Sequence, residues 1–198
     1  MNYLAHFYLS FNDSEILTGN FLGDFVTKKE YTALPLRIQQ GIDLHREIDF
    51  LMDNHEVSKA SKMLFASHRH YSSVIIDVVY DHFLAKNWEQ YSALPLLDAA
   101  SGYYTMIDKH HNWLNYKAGQ YFHYMKLRNW IQSYPTVEGI DQILKSMSRR
   151  TPYENTMHSA AVELEKNYKE LEEGFAEFFD IVNSMAKGFL GTERPKHQ

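Results

Sequence analysis

The chain of 198 residues has no cysteine. Disulfides, thiolate zinc sites and cysteine nucleophiles are therefore excluded, and the composition suits a reducing cytoplasm. Long apolar runs are missing too: no stretch approaches the ~18 residues that a membrane-spanning helix needs. The opening Met1-Asn2-Tyr3-Leu4-Ala5-His6 carries neither a basic region nor a small-residue cleavage site, so a signal peptide is not expected. Positive charge is in deficit, with 20 Lys and Arg against 25 Asp and Glu and a net charge of −5. That argues against a protein that binds nucleic acid by neutralising phosphates over a broad surface. Internal repeats, low-complexity tracts and linkers rich in Gly, Ser or Pro are lacking, and so is sustained period-2 alternation.

Hydrophobic residues make up 44% of the chain and charged residues 23%, an ordinary balance for a globular protein. A core of this size buries about 70% of the unfolded chain's surface and needs no covalent staple. Period 3.6 dominates, so the expected fold is all-α: a single-domain multi-helix bundle over residues 1–190 with a loose tail over 191–198. Pro35, Pro95, Pro135 and Pro152 each stand near the start of a periodic segment, where a missing N–H costs little. Helices are expected over about 2–10 with Asn2 as N-cap, from Ser14 to about 27, and from Pro35 to about 54. Further helices are expected over about 56–66, 69–90, 95–115, 118–132, 135–148 and 154–187, with Gly188 or Gly191 ending the last.

Histidine is plentiful, at 11 residues, and aromatics reach 15%. What matters is where polar residues interrupt apolar stripes. Ile38, Ile42, His45, Asp49 and Met52 share one helix face; its outer members are apolar and its middle is a His and an Asp one turn apart. The segment around 69–90 does this twice. Tyr71, Ile75, Val78, His82 and Ala85 form one stripe, and Val74, Asp77, Asp81, Leu84 and Trp88 another. Asp24 shares a face with Leu17 and Phe21, and His6 one with Leu9. Ionised carboxylates are buried only when paired or metal-bound. His and Asp from facing helices are a standard way to build a metal site in a bundle, and this mixture suits Mn, Fe, Zn or Mg. The plainer alternatives are satisfied core histidines, an ion pair of Asp77 or Asp81 with Arg46, and Asp24 as a helix cap.

The motifs Asn2-Tyr3-Leu4-Ala5-His6, Gly19-Asn20-Phe21-Leu22-Gly23-Asp24-Phe25, Gly41-Ile42-Asp43-Leu44-His45-Arg46-Glu47-Ile48-Asp49 and Asp77-Val78-Val79-Tyr80-Asp81-His82-Phe83-Leu84 follow one another in this order. In combination they resemble the acyl carrier protein phosphodiesterase family, a divergent branch of the HD-type metal-dependent phosphohydrolases. Met147-Ser148-Arg149-Arg150 continues the likeness weakly. The resemblance implies an all-α, HD-like enzyme that cleaves the phosphodiester between 4′-phosphopantetheine and the serine of holo acyl carrier protein. It also implies a divalent metal, Mn²⁺ first and Mg²⁺ or Fe²⁺ otherwise. The one adjacent carboxylate–imidazole pair on these stripes, Asp81-His82, runs opposite to the HD doublet.

Stripes and motif positions together make Asp24, His45 and His82 the expected metal ligands, with His6 and Asp81 next. Asp49 is expected to orient His45 or accept a proton from water, and Arg46 to hold the phosphate, with a plain ion pair as its alternative. Asp77 is expected to stand behind the ligands. Carrier proteins of this class are acidic, so a local basic surface must outweigh the net charge; Lys145, Arg149 and Arg150 are the candidates, or else they complement a helix dipole. His68, His70, His110 and His111 are expected in solvent, as is the acidic run Glu163, Glu165, Glu170, Glu172 and Glu173. Tyr121, Phe122, Tyr124 and Trp130 read as core, or alternatively as lining for the pantetheine arm. Two other functions remain open on the sequence: a phosphohydrolase of nucleotides or other small phosphodiesters, and a non-catalytic carrier-binding module.

Overall fold

Helical periodicity is realised along the whole described chain. The computed structural model describes residues 1–191, with eleven α-helices, short 3₁₀ turns and no strand among them. In order they are α1 (Tyr3–Tyr8), α2 (Ser14–Leu22), α3 (Lys28–Ala33), α4 (Leu36–Asn54), α5 (Glu56–Met63), α6 (Ser72–Lys86), α7 (Leu96–Asp108), α8 (Tyr116–Arg128), α9 (Val137–Arg150), α10 (Ala161–Lys166) and α11 (Tyr168–Gly191). Residues 192–198, where the loose tail was expected, lie outside the described residues. Helix α11 passes through Gly188 as far as Gly191. No helix among the described residues is long and apolar enough to cross a membrane.

Capping chemistry sets the starts. Asn2 accepts from the Tyr3 N–H, Asp13 from the Glu15 and Ile16 N–H groups, and Thr136 from Gly139. Where the structure departs from the expected boundaries, local chemistry explains it. Helix α2 ends at Leu22, not near residue 27, because Thr27 and Glu30 form a reciprocal capping box that starts α3. Helix α6 begins at Ser72, after a 3₁₀ segment in which Arg69 takes φ 53°. The expected final helix is split at Asn167, the C-cap of α10.

Helix α6 is the axis of the core. Ile75, Ile76, Val78, Val79, Tyr80, Phe83 and Leu84 are all fully buried, on every side of the helix. Each such side chain contributes roughly 1.5–3 kcal/mol relative to exposure. Helices α2 and α4 cross at near-backbone contact. A Cβ on Gly19 would collide with the Ile38 carbonyl, and one on Gly41 with the Ile16 carbonyl. This approach brings the end of α2 beside the middle of α4. Helix α1 packs over both α2 and α6.

Candidate active site

The short helix α1 is held from below. Asp81 of α6 accepts hydrogen bonds from the N–H groups of Leu4 (2.8 Å) and Ala5 (3.2 Å), which satisfies donors that a helix N-terminus leaves orphaned. Asp81 is fully buried, and burial pushes its carboxyl up to about 7. The anchored helix turns His6 inward against α4. The two imidazoles of His6 and His45 stack with ring centroids 4.4 Å apart.

Two carboxylates meet these rings. His45 Nε2 lies 3.1 Å from Asp49 Oδ2, one turn along α4, and 3.4 Å from Asp24 Oδ1 in the turn after α2. His6 Nε2 lies 3.3 Å from Asp49 Oδ1. Gly23 makes the arrangement possible, since a Cβ there would collide with the His45 ring. Both histidines are buried, whereas the Asp24 and Asp49 side chains are 53% and 43% exposed. Burial opposes charge on His45, but hydrogen bonds to Asp24 and Asp49 outweigh it and raise the imidazole to about 9. Burial likewise opposes ionisation of the two carboxylates, yet His45 holds Asp24 down, and His45 with His6 holds Asp49 far below its usual range. Burial first, then the charge on His45, lowers His6.

The hydrogen bonds of Asn20 settle what His6 offers. The Asn20 amide nitrogen donates to the His6 carbonyl (2.8 Å) and to Ser10 Oγ (3.2 Å), so its Oδ1 is the acceptor that faces His6 Nδ1 at 2.7 Å. His6 therefore carries its proton on Nδ1, and its Nε2 presents a lone pair. That lone pair faces two more acceptors, the Met1 carbonyl oxygen at 3.0 Å and Asp49 Oδ1. The positive groups near Asp49 are the Met1 amino group, 3.8 Å from Oδ1, and the His45 imidazole; the His6 Nε2 lone pair and the Met1 carbonyl oxygen still face each other as two acceptors, an arrangement that favours a cation. The Nε2 of His45 and the Asp24 carboxylate face the same place once His45 gives up its proton. Donor atoms of His6, His45 and Asp49 all lie within 4.8 Å of one another, and the set of imidazole and carboxylate suits a transition-metal dication. The residues fit the metal that the sequence motifs imply.

The other expected residues stand elsewhere. His82 does not reach this centre: its Nδ1 is 2.8 Å from the Tyr134 carbonyl oxygen and its Nε2 2.8 Å from the Tyr168 hydroxyl, so both nitrogens are spent on packing α6 against its neighbours. Asp81 anchors α1 as described and offers no ligand to the cluster. Asp77 faces the Met1 amino group at 3.0 Å. Arg46 has a side chain 51% exposed, 3.4 Å from Asp43 and over the Tyr31 ring, away from the cleft that the cluster opens on. Lys145 pairs with Asp141 at 2.6 Å. Arg149 and Arg150 are exposed in the last turn of α9, and Arg150 lines the cleft. His68, expected in solvent, is buried with Nδ1 2.8 Å from Thr156 Oγ1 and Nε2 3.3 Å from Glu163. Tyr124, expected in the core, is 51% exposed.

The cleft has a volume of about 400 Å³ and is lined by Asp24, His45 and Asp49. Arg128, Tyr134 and Trp130 line it too; Arg128 and Tyr134 had no role in the sequence expectations. Asn20 was visible within a motif, but only the fold shows what it touches.

Fold and centre together define a class: an all-helical protein that gathers two imidazoles and two carboxylates beside a cleft, with one imidazole and both carboxylates lining it. The family model for acyl carrier protein phosphodiesterase matches residues 1–182. Two proteins named acyl carrier protein phosphodiesterase align over 94% of this chain. The one from Salmonella agona (strain SL483) is 31% identical with 97% of its length covered, and the one from Enterobacter sp. (strain 638) is 29% identical with 98% covered. The chain belongs to the acyl carrier protein phosphodiesterase family. No solved structure matches it.

Proposed function

We propose that this protein hydrolyses the phosphodiester joining 4′-phosphopantetheine to the serine of holo acyl carrier protein, at the centre formed by His6, Asp24, His45 and Asp49. The observation that carries the reading is the gathering of these two imidazoles and two carboxylates within 3.1–3.4 Å contacts beside one cleft, in a chain of this family. A divalent cation held there, Mn²⁺ first and Mg²⁺ or Fe²⁺ otherwise, supplies charge to the non-bridging phosphate oxygens and lowers the pKa of a water towards ~7.

The chain's own groups do the rest. His6 and His45 offer their Nε2 lone pairs, and Asp49, shared between the two rings, fixes their orientation. Asp24 is the more exposed carboxylate and takes the proton from the attacking water. The water oxygen bonds to phosphorus, the bond to the serine oxygen breaks, and that oxygen leaves with its electron pair and is reprotonated. The products are apo carrier protein and 4′-phosphopantetheine. An acidic carrier docks against the exposed Arg149 beside the cleft, with Lys145 contributing less because Asp141 already pairs with it. The all-helical His/Asp centre suits an HD-type lineage.

The test is the intact mass of holo acyl carrier protein after incubation with the purified protein and Mn²⁺. Loss of one phosphopantetheine, abolished by chelator, is expected. An unchanged carrier mass alongside Mn²⁺-dependent cleavage of bis-p-nitrophenyl phosphate would keep the centre and discard the carrier as substrate.

A further inference from the structure

The cleft that carries Asp24, His45 and Asp49 is lined by two arginines as well. Arg128 ends α8 and Arg150 ends α9, and both line the same cleft. Among the described residues neither pairs with a carboxylate; the Nε of Arg150 donates to the Ser146 carbonyl oxygen of its own helix at 3.2 Å. Arginines at helix C-termini often do no more than complement the dipole. Two that line one cleft from different helices, together with a His/Asp centre, have a further use. An anion in the cleft would be held by the two guanidinium groups, and by the His/Asp centre only through a cation bound there.

Trp130 lines the same cleft. Asn129, in the left-handed conformation at φ 43° and ψ 59°, ends α8 and turns the chain so that Trp130 enters the cleft two residues after Arg128. The Arg150 guanidinium lies 5.8 Å from the centroid of the Trp130 ring. Tyr121 meets the same ring edge-on at 5.0 Å. The indole is thereby braced by Arg150 and Tyr121, and Ile143 and Met147 of α9 add apolar lining to the same cleft.

We propose that Arg128 and Arg150 hold the non-bridging oxygens of the scissile phosphodiester, and that Trp130 carries the slender amide-and-methylene arm that departs with it. The inference rests on the phosphodiesterase reading and moves the phosphate-holding role from Arg46 to these two cleft-lining arginines. Guanidinium groups suit the task because their planar forks match phosphate oxygens two at a time. The aromatic surface suits an arm that has little charge of its own.

The test compares two probes, 4′-phosphopantetheine and pantetheine, which differ only by the phosphate. Both are titrated into the Mn²⁺-loaded full chain and followed by calorimetry. The wild type is expected to prefer the phosphorylated probe. In Arg128→Ala and Arg150→Ala that preference is expected to shrink roughly ten- to a hundredfold, the loss typical of hydrogen bonds to a charged group, while pantetheine affinity holds. Trp130→Ala should weaken both probes alike. A merely structural role for the arginines would weaken both probes together, and that result overturns the clamp. So does a preference kept in both arginine variants and lost in Arg46→Ala; either result leaves the phosphodiesterase reading standing. If the wild type ignores both probes but binds inorganic phosphate through Arg128 and Arg150, the clamp stands and the pantetheine arm is overturned.

Discussion

Asn20 decides which nitrogen of His6 carries the proton, and that choice leaves the His6 Nε2 with a lone pair, as the proposed metal-binding role requires. Supporting hydrogen bonds of this kind typically govern metal affinity by about 10- to 100-fold. Asn20→Leu, close to isosteric, should therefore weaken Mn²⁺ binding by about that factor in calorimetric titration while the helical circular dichroism is kept; an unchanged affinity would remove Asn20 from the account. Gly23 acts through sterics. In Gly23→Ala the new methyl group must displace the His45 ring. Misplacement of a catalytic group by about 1 Å can cost ~10²-fold, so turnover should fall by that order with a far smaller change in melting temperature. A Gly23→Ala enzyme with wild-type kcat would show that the close contact has no part in the chemistry.

Helices α1, α2 and α4 owe their mutual placement to α6 and to the glycine crossing. His82 was expected among the ligands beside Asp24 and His45, and Asp81 next after them. The structure gives each a packing task, and the difference is physical. An apolar stripe shows that a polar residue points into the core, but not which neighbour it will meet there. His82 meets the Tyr134 carbonyl and the Tyr168 hydroxyl; His45 meets carboxylates. Period and caps made most helices legible, along with His6, Asp24, His45 and Asp49 as inward-facing groups. Arg128 was not legible as a cleft residue, because its approach depends on a left-handed Asn129 that ends α8, and Trp130 was legible only as one of four aromatics that read as core or alternatively as lining. Accordingly His82→Gln should lower stability by about 1–3 kcal/mol, the cost of breaking buried hydrogen bonds, yet leave kcat near wild type at temperatures where the protein is folded. Chemical denaturation together with steady-state turnover separates these effects. A large fall in kcat at unchanged stability would return His82 to the chemistry.

The molecule as a whole carries a net charge of −5, so attraction of an acidic carrier depends on local charge. Rim charges act mainly on encounter rate and are screened by salt. Arg149→Glu should then lower kcat/KM for holo carrier protein at low ionic strength, with the deficit shrinking as salt rises; a deficit indifferent to salt would point to a structural cause. Every part of the account meets in one claim, that turnover takes place where α1, α2 and α4 bring His6, Asp24, His45 and Asp49 together. The measurement is the intact mass of holo acyl carrier protein after treatment with chelator-stripped, Mn²⁺-reloaded protein, in wild type, His45→Gln and His82→Gln side by side. Removal of the arm by wild type and His82→Gln, but not by folded His45→Gln, is the predicted result. An intact carrier with the wild type, or full conversion by His45→Gln, would contradict it.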